Sequence, residues 1–550
     1  MLTCRRDSML HVPASALLDA AALDGLLRVE NPAWATATPY AKGQMQQWLL
    51  FYHMNRQHRE VSVPRNFSLD LLQPGVVVKD DTCQGEPATF LLSADFSLRA
   101  YQLDFMRTKV APARLRGETD LHFGVPCGHG KSCMAIYMAA QYQRRTLVLV
   151  TTHALAQQFA RSAAWVTPDA SIEVLESGKN WKLDADLTIA TYSMLSNEEK
   201  FPYGFYLQFG HLVCDEWHKT GARTYYPILE RASCRYRTYL SATLRRKDGL
   251  AEVLRQHAGA FLTMQRQTAG ATVLPLQTKC WLDLEALKNV NKTQTPFKML
   301  KFGSKVDVVH GTTKYRGIIA HVELGGERLE NVKVVVQPEG RKDTYTYKRG
   351  EAQFFGVGDL SYAKLDSTIA EEPTRLELVK RVVDTLAERG RTTLVLSRRT
   401  QVLYALSTHY ATTRPELKQG VVISQKRDEQ KAYAKTRGMT VQEQEAYCVQ
   451  EARVIFGIDK MAEEGLDIER LDTLLLLHPL KDIEQAAGRI LRQYAGKKPP
   501  LIIYLCDNVR PYMGSWQEAK EMFENLGHVV LASQSWEQFT QRYTPKAVAA

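Results

Sequence analysis

The chain has 550 residues, 45% apolar and 24% charged, with a formal net charge of +11. This length suits two or more domains with sizeable cores, and the composition excludes a disordered or fibrous chain. Nine cysteines without a C-x-x-C pair speak against a disulfide framework or a zinc site and fit a reducing compartment. The basic balance, with a pI near 9.0, suits a polyanionic partner such as nucleic acid, although on so long a chain it also serves solubility. The N-terminus carries arginines but no sustained apolar run, so no signal peptide is expected. The longest apolar runs, such as 474–477, are far too short to span a bilayer, which makes a cytoplasmic, non-membrane protein the expectation.

In chain order, residues 1–92 form an expected accessory domain. It holds a helical stretch over Ser15–Leu27 and strand-like pieces at 61–67 and 75–79, without a catalytic set. From 93 to 268, short runs rich in β-formers (146–150, 186–190, 211–215 and 237–243) alternate with amphipathic helical stretches. Near-continuous apolar strands of this kind belong in a parallel sheet covered on both faces, which binds ligands beyond its C-terminal strand ends. Residues 269–300 are expected as a linker. Over 301–360 the pattern changes to short alternating strands with glycine-containing turns, the signature of a small antiparallel barrel similar to SH3 or Tudor modules. Its lysines, arginines and tyrosines suit a nucleic-acid contact, and the same alternation suits a half-buried sheet. A second α/β series occupies 361–515, with a helix at 373–389 and strands at 392–397, 420–424, 452–458, 472–478 and 500–506. Residues 516–550 are expected as a tail with one amphipathic helix.

Three stretches carry chemistry. G-V-P-C-G-H-G-K-S (124–132) precedes a predicted helix over 133–142. Gly128 and Gly130 let backbone N–H groups, including that of His129, wrap phosphate oxygens, and the helix dipole favours the charge. Lys131 would reach the β- and γ-phosphates, and Ser132 would offer its hydroxyl to Mg²⁺. At the end of an apolar run, Asp215-Glu216 supplies one carboxylate for the metal and one to orient and deprotonate the attacking water. Finally, the i, i+4, i+7 spacing of Gln485, Arg489 and Arg492 sets them on one helical face, with Gly488 permitting close approach. Two arginines there form either a solvated stripe or a pair of arginine fingers for γ-phosphate charge.

Together these stretches resemble the superfamily 2 helicases, close to the XPB-like and phage UvsW-like branch. L-R-A-Y-Q (98–102) is similar to the adenine-reading segment, with Arg99 and Gln102 at the nucleotide. V-P-C-G-H-G-K-S resembles motif I, with Val125 where a small residue is usual, and D-E-W-H resembles motif II, with Trp217 in place of a small residue. S-A-T (241–243) is similar to motif III, E-E-G-L-D-I (463–468) to motif V and Q-A-A-G-R-I-L-R (485–492) to motif VI. T-T-H-A-L-A-Q-Q-F (151–159) and A-T-Y-S-M-L (190–195) resemble the strand-gripping motifs Ia and Ib.

The resemblance implies two tandem RecA-like parallel-sheet lobes, with a small N-terminal domain and the inserted β-barrel. ATP and Mg²⁺ would bind between the lobes. Gly465 and Asp467 would contact the nucleotide, while His218, Ser241 and Thr243 couple hydrolysis to movement. Thr151, Thr152 and Thr191 are candidate phosphate contacts on the nucleic acid, and ordinary helix caps by the alternative. The implied activity is an ATP-dependent DNA helicase or translocase in a bacterial or phage-infected cell, acting on branched or forked duplex in recombination, repair or replication. An RNA helicase, the motor of a restriction system and a non-hydrolysing nucleic-acid scaffold are the alternatives.

Overall fold

The computed structural model describes residues 2–19, 21–31, 34, 43–126, 128–176, 184–217, 225–241, 250–259, 261–265, 270–280, 282, 288–290, 295, 300, 303–323, 333–348, 350–360, 362–423, 428–459, 468–480, 483–492, 494 and 496–543. The N-terminal unit is a five-stranded sheet in the order His53–Asn55, Glu60–Val63, Leu10–Pro13, Thr3–Arg6, Val77–Asp80. Alternation buries Leu10, Val12, Val61 and Val63 on one face, against Tyr226, Leu250 and Val253 of the following lobe. Of the helix expected over Ser15–Leu27, Ala21–Leu27 is α-helical, with Asp19 accepting from Ala21 N at 2.8 Å, and Ala14–Ala16 forms a separate 3-10 turn.

Lobe 1 is a seven-stranded, wholly parallel sheet. Its strands are β1 (Asp120–Gly124), β2 (Thr146–Val150), β3 (Ile172–Val174), β4 (Leu187–Thr191), β5 (His211–Asp215), β6 (Tyr236–Ser241) and β7 (Phe261–Thr263). They lie in the order β3-β4-β2-β5-β6-β1-β7. Successive residues serve opposite faces. Val148 and Val150 enter the core shared with Phe123 and Ile136, whereas Leu147 and Leu149 enter the one shared with Tyr192 and Trp217.

Lobe 2 repeats this plan with β8 (Thr272–Gln277), β9 (Thr393–Ser397), β10 (Gln419–Val422), β11 (Val454–Ile458), β12 (Thr473–Leu476), β13 (Leu501–Cys506) and β14 (Val529–Val530). The order β10-β11-β9-β12-β13-β8-β14 is that of lobe 1 shifted by seven, again all parallel. Both lobes are therefore RecA-like α/β sheets.

Two expectations change here. The segment expected as a linker over 269–300 contains β8, which fills the same place in lobe 2 that β1 fills in lobe 1. The expected tail is also built in: Val529 N donates to Ala271 O at 3.0 Å, and Phe539 lies in the core beside Leu274 and Leu276. The β insert thus interrupts lobe 2 after its first strand. It is an open antiparallel sheet, a half-barrel of six strands: Lys288–Val290, Gln353–Leu360, Lys305–His310, Thr313–Glu323, Lys333–Pro338 and Tyr345–Lys348 in spatial order. Its own small core includes Val306, Val308, Ile319, Val334, Val336 and Phe354.

Candidate nucleotide site between the two lobes

The phosphate loop leaves the C-terminal end of β1. Val125 N donates to Ser241 O at 3.1 Å, and the Val125 side chain is fully buried in lobe 1. The valine therefore points into the core of lobe 1. Gly128 and Gly130 have φ of +80° and +78°, a region that glycine enters without a Cβ penalty. Gly130 caps α1 (Lys131–Tyr142), so Lys131 and Ser132 open a 12-residue helix whose first N–H groups face the loop.

A Cβ on Gly130 would strike Nε2 of Gln102. That amide donates to His129 O at 2.8 Å, while its oxygen accepts from Arg99 N at 2.9 Å. With Gln102 buried, the segment 98–102 braces the loop backbone, and the Tyr101 ring stands edge-on to His129 at 5.4 Å.

Asp215 ends β5, and Glu216 follows with φ of +46°. A left-handed non-glycine residue stores about 1–3 kcal/mol of strain, which persists only where its surroundings enforce it. Here Glu216 N donates to Asp215 Oδ1 at 3.0 Å, and Glu216 Oε1 meets Lys131 Nζ at 3.3 Å. The turn thus aims the glutamate back at the phosphate loop. Tyr192 OH donates to Asp215 O at 2.9 Å. Burial pushes its phenol well above the usual value, so the hydroxyl stays a donor.

Trp217 is fully buried, and its Nε1 donates to Nε2 of His122 on β1 at 2.8 Å. The bulky residue after the acidic pair therefore ties β5 to β1 within lobe 1.

From lobe 2, α2 (Ile483–Ile490) brings Gln485 and Arg489, the latter 9% exposed. Arg492 lies two residues beyond the end of α2, so the single helical face expected for all three holds only Gln485 and Arg489. The helix approaches closely. A Cβ built on Gly128 would lie 3.0 Å from Gly488 O and 3.4 Å from Arg492 Cγ. Phosphate loop and arginine helix are in contact across the cleft, with glycine on both sides.

Of the remaining expected residues, Ser241 ends β6, and its carbonyl holds the start of the phosphate loop. Thr152 and Thr191 act as helix N-caps, accepting at 3.3 Å from Leu155 N and Met194 N. The Thr151 hydroxyl is buried and has no hydrogen-bond partner among the described residues. His218, Thr243, Gly465 and Asp467 lie outside the described residues. The bonds of Tyr192 to Asp215, His122 to Trp217 and Gln102 to His129 escaped sequence reasoning, since each joins positions far apart in the chain.

Among the described residues no cluster of three or more His, Cys, Asp or Glu forms a metal cage. Nor is any helix among them long and apolar enough to cross a membrane.

Residues 95–246 match the family model described as the res subunit of type III restriction enzymes. A protein of Acanthamoeba polyphaga mimivirus, named as an ATP-dependent RNA helicase, is 23% identical over 69% of this chain and 59% of its own length. A helicase-named protein of Escherichia phage T5 is 29% identical over 24% of this chain and 28% of its own. The XPB helicase/translocase subunit of the general transcription and DNA repair factor IIH of Drosophila melanogaster is 25% identical over 37% of this chain and 27% of its own. The chain thus matches less than two thirds of the length of each of these relatives. The crystal structure of T4 UvsW aligns with 97% of this chain and 99% of its own, at 14% identity and a TM-score of 0.34. The chain is thus similar over lobe 1 to the restriction-enzyme res family, and over longer or shorter stretches to XPB and to helicase-named viral and phage proteins.

Proposed function

We propose that this chain is an ATP-driven motor on DNA that remodels branched or forked duplex. One observation carries the reading. Gly488 O and Arg492 of lobe 2 lie directly against Gly128 of the lobe 1 phosphate loop, beside the Lys131–Glu216 pair at 3.3 Å. Residues of both lobes therefore stand around one anion-binding helix start, as a hydrolysis site completed by closure requires.

The residues present fit a magnesium-bound nucleoside triphosphate. Lys131 and Glu216 meet at 3.3 Å at the start of a helix entered through two left-handed glycines, the donor set that a phosphate and its metal require. Mg²⁺ typically binds through one or two carboxylates plus phosphates, a role that Asp215 and the Ser132 hydroxyl would fill. When bound, ATP supplies the phosphoanhydride whose hydrolysis drives movement. Lys131 then exchanges Glu216 for phosphate oxygens. Glu216, released from the ammonium, orients the attacking water and takes its proton. Gln485, Arg489 and Arg492 meet the charge that develops on the γ-phosphoryl group, and Gln102 and Arg99 set the loop edge beside the base. Tyr192 connects the Thr191 helix start to Asp215, a direct route from strand grip to metal site. By the family resemblance, His218, Ser241 and Thr243 would extend that coupling, Gly465 and Asp467 would contact the nucleotide, and Thr151, Thr152 and Thr191 would contact the strand.

The mimivirus relative, which shares the largest part of this chain among the three, supports an RNA helicase as the second reading. Steady-state ATPase with single-stranded DNA, branched duplex DNA or single-stranded RNA separates the two. The DNA reading predicts strong stimulation by DNA, strongest with the branched duplex. Stimulation by RNA alone would replace it with the second reading.

A further inference from the structure

Beyond the arginine helix the chain turns back on itself. Gly496 adopts φ of +73°, Lys497 N donates to Tyr494 O at 3.2 Å, and the Lys497 side chain returns toward α2. Its Nζ donates to Arg492 O at 2.8 Å and to Glu469 O at 3.2 Å. Glu469 directly follows 463–468, the stretch that resembles motif V. One ammonium thus joins the segment carrying the second motif VI arginine to the segment leaving motif V.

We propose that Lys497 is a positioning residue of the ATP site: by bonding the Arg492 and Glu469 carbonyls together, its ammonium keeps Arg492 against the phosphate loop. The inference rests on the ATPase reading of the cleft. Two physical arguments support it. A cation beyond the C-terminal end of a helix interacts favourably with the dipole and the unsatisfied carbonyls there. Charge-assisted bonds to carbonyls are also stronger than neutral ones, so removing the charge loosens both segments at once. Arg492 Cγ lies 3.4 Å from a Cβ built on Gly128, so slack in its backbone passes straight to the phosphate loop.

The charge is sensitive to pH within a working range. Half-burial lowers the ammonium to about 8; Asp472 and Glu469 oppose the shift, and Arg492 adds to it. Asp472 is itself engaged by Arg391 at 3.2 Å, which weakens its support for the lysine's charge. Below about 8 the ammonium is present and both bonds are charge-assisted; above it the proton is lost and the bonds weaken.

The test is steady-state ATPase of the full chain with the stimulating nucleic acid, from about pH 6.5 to 9.5, for wild type, Lys497→Arg and Lys497→Met. Wild type should lose kcat on an alkaline limb centred near 8, with KM for ATP nearly unchanged. Lys497→Met should have kcat about 10- to 100-fold lower at neutral pH, the range expected when charged hydrogen bonds are lost. Lys497→Arg, whose guanidinium does not titrate in this range, should restore kcat at neutral pH and remove the alkaline limb. Its thermal midpoint, matching wild type, would show that the fold is intact. An alkaline limb retained in Lys497→Arg, or kcat in Lys497→Met within about twofold of wild type, would overturn the role of the lysine while the ATPase reading stood. Wild type inactive with every nucleic acid would overturn both.

Discussion

Arg489→Ala is expected to lower kcat for ATP hydrolysis by about 10³–10⁵-fold, the range associated with loss of an arginine finger. Arg489 is 9% exposed on α2, and the carbonyl of the neighbouring Gly488 would lie 3.0 Å from a Cβ on Gly128. In the proposed mechanism a guanidinium held there would meet phosphate oxygens, and its low exposure would make its charge act more strongly than in water. The loss should fall on kcat, because the interaction strengthens only as charge develops in the transition state. Arg489→Lys should recover little, since an ammonium lacks the planar fork that pairs with two oxygens. Steady-state kinetics with saturating nucleic acid decides the matter. A loss of less than about tenfold would place Arg489 outside the chemistry, as part of lobe packing alone.

Arg65→Ala is expected to cost about 3–5 kcal/mol of stability, the range for stranding one partner of a buried ion pair. Arg65 is 1% exposed in its side chain and Asp120 2%, with Arg65 Nε at 3.1 Å from Asp120 Oδ2. Arg65 also donates to the carbonyls of Cys234 and Arg235, and Asn66 donates to Asp120 Oδ2 at 2.6 Å. Truncation leaves the carboxylate buried with its cation gone and two carbonyls short of donors. Asp120 begins β1, whose other end carries the phosphate loop, so the pair anchors the N-terminal sheet to the strand that positions the site. Denaturant unfolding followed by circular dichroism should show the lobe 1 transition at a lower midpoint. An unchanged midpoint would mean that the apolar contacts of Tyr226, Leu250 and Val253 hold the two units together unaided.

The sheets were legible where strands are continuous apolar runs. Thr146–Val150 and His211–Asp215 fall at their expected positions, because strands buried on both faces leave no room for polar alternation. β8 was hidden by Pro275, a residue that argues against a strand inside a sheet. In the fold, Pro275 O accepts from Gln534 N at 2.9 Å on the side of the two-residue β14. The missing N–H on that side removes no bond from the ladder with β13. β14 itself is too short to register as a pattern. With both hidden, the repeat of lobe 1 by lobe 2 could not be seen, and the insert looked like a separate domain between lobes.

The candidate site was legible where chemistry sits at an element boundary. Lys131 starts a helix, Asp215 ends a strand, and Arg489 rides a short helix with small neighbours. Trp217, which stands where a small residue is usual, is core packing, and its bond to His122 joins it to a residue 95 positions earlier through the sheet. Lys497 was invisible for a related reason: its role depends on a turn at Gly496 that no periodicity announces.

The central claim is that the cleft hydrolyses ATP with Glu216 as the base. The direct measurement is steady-state ATPase of wild type and Glu216→Gln with the preferred nucleic acid, alongside equilibrium binding of a fluorescent ATP analogue. Glutamine keeps the shape of the side chain and its contact with Lys131 but cannot accept the proton. The account predicts that hydrolysis falls by about 10²–10⁴-fold, the usual contribution of a general base, while the analogue still binds. Undiminished hydrolysis in Glu216→Gln would contradict it.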